Sequence, residues 1–181
     1  QARVSGVEAL LRWRQDDQLI APQEFIPTLE ESGLIVAVGD WVLAQACRQT
    51  QRWQQLQPGL SCAVNLASRQ LSEARFAQRV ARILKQTGLP PALLTLEITE
   101  TTAMSDADAS RTVLQQLSDM GVDLSIDDFG TGYSSLMYLK RLPANELKID
   151  RGFVRDLEHD SDDAAIVSAI VALGQALGLR I

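Results

Sequence analysis

The sequence is poor in the residues that build disulfide scaffolds and zinc sites. Its 181 residues include two cysteines, one histidine and 5% aromatic residues. Cys47 and Cys62 lie in apolar surroundings without a CxxC motif, which predicts two reduced core thiols of a cytosolic domain. The one histidine, His159, lies between acidic residues, whereas a zinc site takes several His or Cys ligands. The sequence therefore disfavours both a disulfide framework and zinc chemistry.

Long apolar runs and an excess of positive charge are also lacking. No run reaches the roughly 18 apolar residues that a membrane span needs, because the stretch 164–179 is interrupted by Ser168, Gly174 and Gly178. Lys and Arg number 17 against 23 Asp and Glu, a net charge of −6, which disfavours binding of a nucleic acid polymer through a basic face. We expect that this segment makes no membrane contact.

The length and composition predict one folded domain over residues 1–181. Hydrophobic residues make up 46% of the chain and charged residues 22%, as in ordinary globular domains that bury a sizeable core. The start, 1–5, has neither a Met nor the apolar region of a signal peptide. We therefore expect an internal fragment. The chain stops at 179–181, where the pattern of a further strand begins, so we expect truncation at both ends.

Short strand-like runs alternate with longer stretches of helical periodicity, and most of the runs end in a carboxylate or carboxamide. The predicted strands are Gly6–Glu8, Cys62–Asn65, Leu93–Glu97, Val122–Asp127 and Glu146–Asp150. Their spacing is typical of successive βα units with a parallel sheet. No Gly-rich phosphate turn follows the first run, which disfavours a doubly wound sheet. We predict an α/β fold of the TIM (β/α)8 barrel type, incomplete here because such barrels take about 250 residues.

Helices are predicted between these strands. The predicted helices are Asp40–Leu56 with Asp40 as its cap, Ser72–Gln86, Asp106–Met120 and Asp162–Leu177. The last is apolar almost all round and is expected to be well buried. Trp13, Trp41 and Trp53 lie at apolar spacing and are expected in the core.

Five oxygen-bearing side chains at strand ends form the candidate site. Glu8, Asn65, Glu97, Asp127 and Asp128 would converge at the mouth of a parallel barrel and repel one another unless a cation neutralised them. Oxygen donors favour Mg²⁺, Mn²⁺ or Ca²⁺. If Asp127 bridged two such ions, they could activate a water for phosphodiester cleavage. Alternatively, Asp128 only caps a turn.

Three further charged residues accompany this set. Lys148 could polarise a water or stabilise phosphoryl charge, or it could form an internal ion pair with Asp150. Arg12 could bind an anionic ligand, or be a solvated helix residue. Glu100 could hold the loop 128–135, which could move over the site, or simply be an acid at a helix start.

The order and spacing of five motifs resemble the EAL-domain cyclic di-GMP phosphodiesterases over essentially the whole chain. These motifs are Glu8-Ala-Leu-Leu-Arg12, Val64-Asn-Leu66, Leu96-Glu-Ile-Thr-Glu100, Asp127-Asp-Phe-Gly-Thr-Gly-Tyr-Ser-Ser135 and Leu147-Lys-Ile-Asp-Arg151. Two shorter segments, 25–27 and 177–179, also fit the family.

The resemblance implies a modified TIM barrel whose first strand runs against the others, and hydrolysis of cyclic di-GMP to linear pGpG with Mg²⁺ or Mn²⁺, Ca²⁺ being inhibitory or non-productive. The resemblance also implies a homodimer in which the loop takes part, and a cytoplasmic location, because that is where the substrate of the family is found. The implied roles are metal binding by Glu8, Asn65, Glu97, Asp127 and Asp128, catalysis by Lys148 with Glu8, Asp127 and Asp128, substrate binding by Leu10, Arg12 and Asp150, and support of the loop by Glu100.

The departures from the family lie away from these positions. Asn145 and Gly152 stand where Asp and Ser are common. The family continues beyond Ile181 into a strand with another metal-binding Glu and has a strand before Gly6, so we expect an open barrel and an incomplete second metal site. The parent protein could carry sensor, cyclase-like or membrane segments.

Two other functions remain open at this point. One is a catalytically silent cyclic di-GMP receptor, although every ligand position is intact. The other is an enolase-like metalloenzyme with a lysine base, which the lack of a second lysine at a strand end disfavours.

Overall fold

The computed structural model describes residues 3–104, 107–132, 136–155, 157 and 159–181. The strands are β1 (Gly6–Ala9), β2 (Trp13–Gln15), β3 (Gln18–Ile20), β4 (Ser61–Asn65), β5 (Leu94–Thr99), β6 (Asp123–Phe129) and β7 (Glu146–Ile149). The helices are α1 (Pro22–Ser32), α2 (Ile35–Trp53), α3 (Ser68–Leu71), α4 (Phe76–Thr87), α5 (Glu100–Met104), α6 (Ala107–Asp119), α7 (Leu136–Leu139), α8 (Arg151–Arg155) and α9 (Ser161–Leu177). A short 3₁₀ turn covers Pro91–Leu93.

Five strands form a curled parallel sheet in the order β1-β4-β5-β6-β7. Neighbouring strands of this sheet are connected through helices, and the β2–β3 hairpin also lies between β1 and β4. This connectivity is typical of a barrel wall. Arg180 adds an isolated parallel bridge to Glu146 at the β7 edge. The predicted α/β half-barrel of TIM type is therefore confirmed.

The core lies between this sheet and the helices that cover it. Leu94, Leu96, Leu124, Ile126 and Leu147 are almost fully buried on the sheet, and they alternate with the polar residues of the opposite face. The two faces of each strand thus separate the packing residues from the residues of the candidate site.

Helix ends follow ordinary capping chemistry. The Asp160 carboxylate accepts hydrogen bonds from the backbone N–H groups of Asp162 and Asp163 at the start of α9, which satisfies donors that the helix leaves free. Gly88 ends α4 in the left-handed conformation, with φ 74°. This end lies close to the predicted end at Gln86, but the predicted start at Ser72 was wrong, because α4 begins at Phe76. The predicted helix start at Asp106 lies outside the described residues.

Several local predictions were wrong. Asp40 lies within α2 rather than capping it, because the apolar pattern extends back to Ile35. Trp13 and Trp41 are 46% and 55% exposed; Trp13 belongs to the β2–β3 hairpin, where it packs edge-on against Phe25. Sequence spacing places a residue on a face but does not say what covers that face.

The burial expected for α9 was also wrong. Only Ile170 and Gly174 are buried on this helix, and Ile166 is 39% exposed. Within the described residues α9 packs mainly on α8 and β7, so its other side stays open. In the same described part of the chain, no helix combines the length and apolar character that crossing a membrane requires.

Candidate functional site

Four neighbouring strands bring polar side chains to one edge of the parallel sheet. Glu8 lies in β1, Asn65 ends β4, Glu97 lies in β5 and Asp127 lies in β6. The register pairs Asn65 with Glu97 and Thr99 with Asp127. The oxygen-bearing side chains therefore lie side by side at the carboxyl ends of the strands. This edge is where parallel barrels carry their functional groups.

Glu8 and Asn65 are joined directly. The Asn65 side-chain amide donates a hydrogen bond of 2.8 Å to Glu8 Oε1. This contact leaves the Asn65 carbonyl oxygen as the atom that could accept or ligate, since an amide has one donor end and one acceptor end.

Lys148 lies between two of the carboxylates. Its Nζ is 2.8 Å from Glu97 Oε1 and 3.1 Å from Asp127 Oδ2. The alternative of an ion pair between Lys148 and Asp150 was therefore wrong, because Lys148 pairs with Glu97 and Asp127 instead. Asp150 instead accepts a hydrogen bond of 2.7 Å from the backbone N–H of Gly152, because the chain turns into α8 at that point.

The electrostatics keep Lys148 charged. Burial lowers the pKa of Lys148, but its hydrogen bonds to Glu97 and Asp127 outweigh burial and raise the pKa above its ordinary value. Burial also raises the pKa of Glu97, which is 4% exposed, and the contact with Lys148 offsets this only in part. Lys148 is thus an ammonium that donates hydrogen bonds and cannot accept a proton near neutral pH.

A kink in β6 decides where Asp128 points. The ladder to β7 shifts register between Ile126 and Phe129, and Asp128 has a φ of 53°, in the left-handed region that few non-glycine residues adopt. The backbone N–H of Asp128 donates to Asp127 Oδ1 at 3.0 Å. Burial raises the pKa of Asp128, and the carboxylates of Asp127 and Asp150 raise it further. A bulge of this kind re-aims a side chain next to a functional site, so both aspartates face the same edge.

Glu100 contacts the loop that follows β6. Its carboxylate is 2% exposed, and Oε2 accepts backbone hydrogen bonds from Gly130 at 2.9 Å and Gly132 at 3.3 Å. Gly130 has a φ of 104°, and a Cβ there would come within 2.9 Å of the Phe153 ring. The loop therefore depends on glycine and on a buried anion. The remainder of the predicted loop, residues 133–135, lies outside the described residues.

A cavity of about 360 Å³ opens beside the Glu8–Asn65 pair. Leu10 and Arg12 line it together with residues of α1 and α2. Leu10 is 53% exposed, and Arg12 is exposed with its guanidinium bonded to the Leu11 carbonyl at 2.9 Å. Arg12 lies on the connection between β1 and the β2–β3 hairpin, so the alternative of a solvated helix residue was wrong about the local structure.

The donor set fits a divalent cation by its chemistry. Within the described ranges, no three His, Cys, Asp or Glu side chains surround one point as a finished metal centre would, and the Lys148 ammonium contacts both Glu97 and Asp127. One oxygen, Glu97 Oε2, is buried without a hydrogen-bond partner among the described residues. An unpaired buried carboxylate oxygen beside other oxygen donors suits a hard cation.

Two features of the site were missed in the sequence. Gln70 lines the cavity as a nearly fully buried side chain. Ser125, also buried, lies two residues before Asp127 and faces the same side of β6. The two-residue period of a strand could have identified Ser125, whereas no local signal points to Gln70.

Comparisons with known proteins agree with this architecture. The chain is 59% identical over 180 residues to the bifunctional diguanylate cyclase/cyclic di-GMP phosphodiesterase MucR of Pseudomonas aeruginosa, covering 97% of this chain and 26% of MucR. It is 42% identical over 180 residues to the cyclic di-GMP phosphodiesterase NbdA of the same organism, covering 98% of this chain and 23% of NbdA. The chain thus spans about a quarter of the length of these curated relatives.

A solved structure of the MucR phosphodiesterase in complex with c-di-GMP superimposes with a TM-score of 0.92 at 58% identity, covering 97% of this chain and 72% of that one. The family model described as EAL domain matches residues 1–181. The half-barrel, the strand-end donors and these matches agree, and the chain belongs to the EAL domain family.

Proposed function

We propose that this domain is a phosphodiesterase that hydrolyses cyclic di-GMP to linear pGpG with the help of Mg²⁺ or Mn²⁺. The observation that carries the proposal is the row of strand-end oxygens with Lys148 among them, on a chain 59% identical to a cyclic di-GMP phosphodiesterase. A site made only of carboxylates would repel a phosphodiester. Cations held there would reverse that repulsion.

The metal ligands proposed are the five strand-end residues of the site. They are Glu8, Asn65, Glu97, Asp127 and Asp128. When bound, a divalent cation supplies positive charge that offsets these anions, polarises a phosphoryl oxygen and favours ionisation of a water. The kink at Asp128 would bring its carboxylate to the same group of ligands as Asp127. This arrangement supports a role for Asp127 as a ligand shared by two ions.

Lys148 is proposed to act as a hydrogen-bond donor to the attacking water and to developing negative charge. Its ammonium donates hydrogen bonds to Glu97 and Asp127, and a charged donor at this place can orient a water and stabilise negative charge. This assignment argues against the enolase-like alternative, which needs a neutral lysine as base.

Arg12 and Leu10 are proposed to contact the substrate from the cavity beside Asn65. A guanidinium binds phosphate oxygens with two parallel hydrogen bonds. The apolar side chain of Leu10 could cover a purine face. Asp150 is proposed to contact substrate from the other end of the site, beside Asp128.

The proposal is tested by product analysis. The chain, and a version extended at both ends, are incubated with cyclic di-GMP and excess Mn²⁺ or Mg²⁺, and nucleotides are separated by chromatography. Chelator and Glu97→Gln are the negative arms. Glu31→Gln, an exposed carboxylate on α1, is the matched control. We expect linear dinucleotide from the wild type and the control only. Intact, bound cyclic di-GMP would instead indicate the receptor alternative.

A further inference from the structure

Ser125 lies in β6, two residues before the candidate ligand Asp127 and next to Glu97 of β5. It is 0% exposed, on the face of β6 that carries Asp127. In the parallel ladder its Cα is the register partner of Glu97, and paired residues of neighbouring parallel strands project from the same face of a sheet. The serine hydroxyl and the Glu97 side chain therefore share one side of two hydrogen-bonded strands.

Both side chains carry a buried polar atom without a hydrogen-bond partner. Among the residues that the structure describes, Ser125 Oγ and Glu97 Oε2 are each buried and unbonded. A buried polar atom without a hydrogen-bond partner destabilises a protein, and native proteins contain few such atoms. Two such atoms on register partners are complementary, because a hydroxyl can donate and a carboxylate oxygen can only accept.

We propose that Ser125 is a positioning residue for Glu97, its hydroxyl donating to Glu97 Oε2 directly or through one ordered water when the site is loaded with a divalent cation. Lys148 already holds the other oxygen, Oε1, at 2.8 Å. With both oxygens held, the Glu97 carboxylate has one orientation. A carboxylate oxygen has two lone pairs, so Oε2 can accept from Ser125 and still bind a cation.

The proposal rests on the proposed function, because it gives Ser125 a purpose only if Glu97 binds metal. Its rival is that position 125 simply needs a small side chain in a tight interior. Alanine would satisfy that need at least as well, since removing a hydroxyl that makes no bond is neutral or stabilising. The two explanations therefore differ in what Ser125→Ala does to metal binding.

The test measures Mn²⁺ binding to the full chain by electron paramagnetic resonance of free Mn²⁺, and urea unfolding without metal. Ser110→Ala is the matched control, because Ser110 is also buried but lies on α6. Losing a residue that orients a metal ligand weakens metal affinity about 10- to 100-fold. We expect about tenfold weaker Mn²⁺ binding in Ser125→Ala, wild-type affinity in Ser110→Ala, and little change in the metal-free unfolding midpoint of Ser125→Ala.

Each other result speaks against the proposal. Wild-type Mn²⁺ affinity in Ser125→Ala, with or without altered stability, leaves Ser125 as a packing residue. Equal weakening in both variants shows a general effect of destabilisation. If the wild type binds no Mn²⁺, both this proposal and the metal-dependent function proposed above are refuted. If the wild type binds Mn²⁺ and Ser125→Ala binds it equally well, only the role of Ser125 is refuted.

Discussion

Replacing Glu100 tests how much of the β6 loop depends on one buried carboxylate. Its Oε2 accepts from Gly130 and Gly132 at 2.9 and 3.3 Å. A hydrogen bond to a charged group contributes about 1.5–3 kcal/mol, so these two bonds together contribute about 3–6 kcal/mol before water solvates the freed groups. Both glycines are exposed, and water can solvate the freed N–H groups. We therefore expect Glu100→Ala to lower the free energy of unfolding by about 2–3 kcal/mol.

A second variant separates charge from shape. Glu100→Gln keeps an oxygen that can accept these two bonds but loses their charge assistance, so we expect a smaller loss of about 1 kcal/mol. The assay is urea unfolding followed by far-ultraviolet circular dichroism. Glu31→Ala, an exposed acid on α1, is the control and should stay within about 0.5 kcal/mol of the wild type. A Glu100→Ala variant as stable as Glu31→Ala would refute the reasoning.

Three further predictions concern packing, thiol chemistry and metal. Gly130→Ala should destabilise the fold by about 2–4 kcal/mol in urea unfolding, since it combines a strained φ with overpacking against Phe153; wild-type stability would contradict the contact. Cys47 and Cys62 should resist a thiol reagent at pH 8 until the chain unfolds, because they are only 0% and 1% exposed. Burial, and next the neighbouring Cys62, also raise the pKa of Cys47 to about 12, so little of the reactive thiolate forms. Fast labelling of the native protein would contradict this prediction. Mn²⁺ at about 100 times its Kd should stabilise the wild type by about 2.7 kcal/mol in thermal unfolding, whereas Glu97→Gln should gain much less, and an equal gain would exclude Glu97 as a ligand.

The strands and their functional ends are predictable from the sequence because they depend on local patterns. Alternating apolar residues such as Leu94, Leu96 and Ile126 mark the buried face, and the polar residue at each strand end follows from the two-residue period. Similar spacings between runs predict parallel pairing. The row formed by Asn65, Glu97 and Asp127 follows from these rules alone.

Other features depend on contacts between distant segments. The register of β5, β6 and β7 determines which carboxylates lie next to Lys148. The alternative of an ion pair with Asp150, two residues along the chain, was therefore wrong. The exposure of Trp41 likewise depends on which helix covers that face of α2. No window of sequence contains this information, because burial is a property of the neighbours.

The sequence by itself determined the fold class, the family and the identity of the oxygen donors, since these follow from periodicity and from motif order. Only the tertiary structure decided the direction of Asp128, through a bulge against β7, and the juxtaposition of Ser125 with Glu97, through the ladder between β5 and β6. The physical reason is that strand register and local twist are set by the packing of whole strands against one another. The type of a residue can be read from the sequence, whereas the residues that it contacts depend on the register of the strands in the sheet.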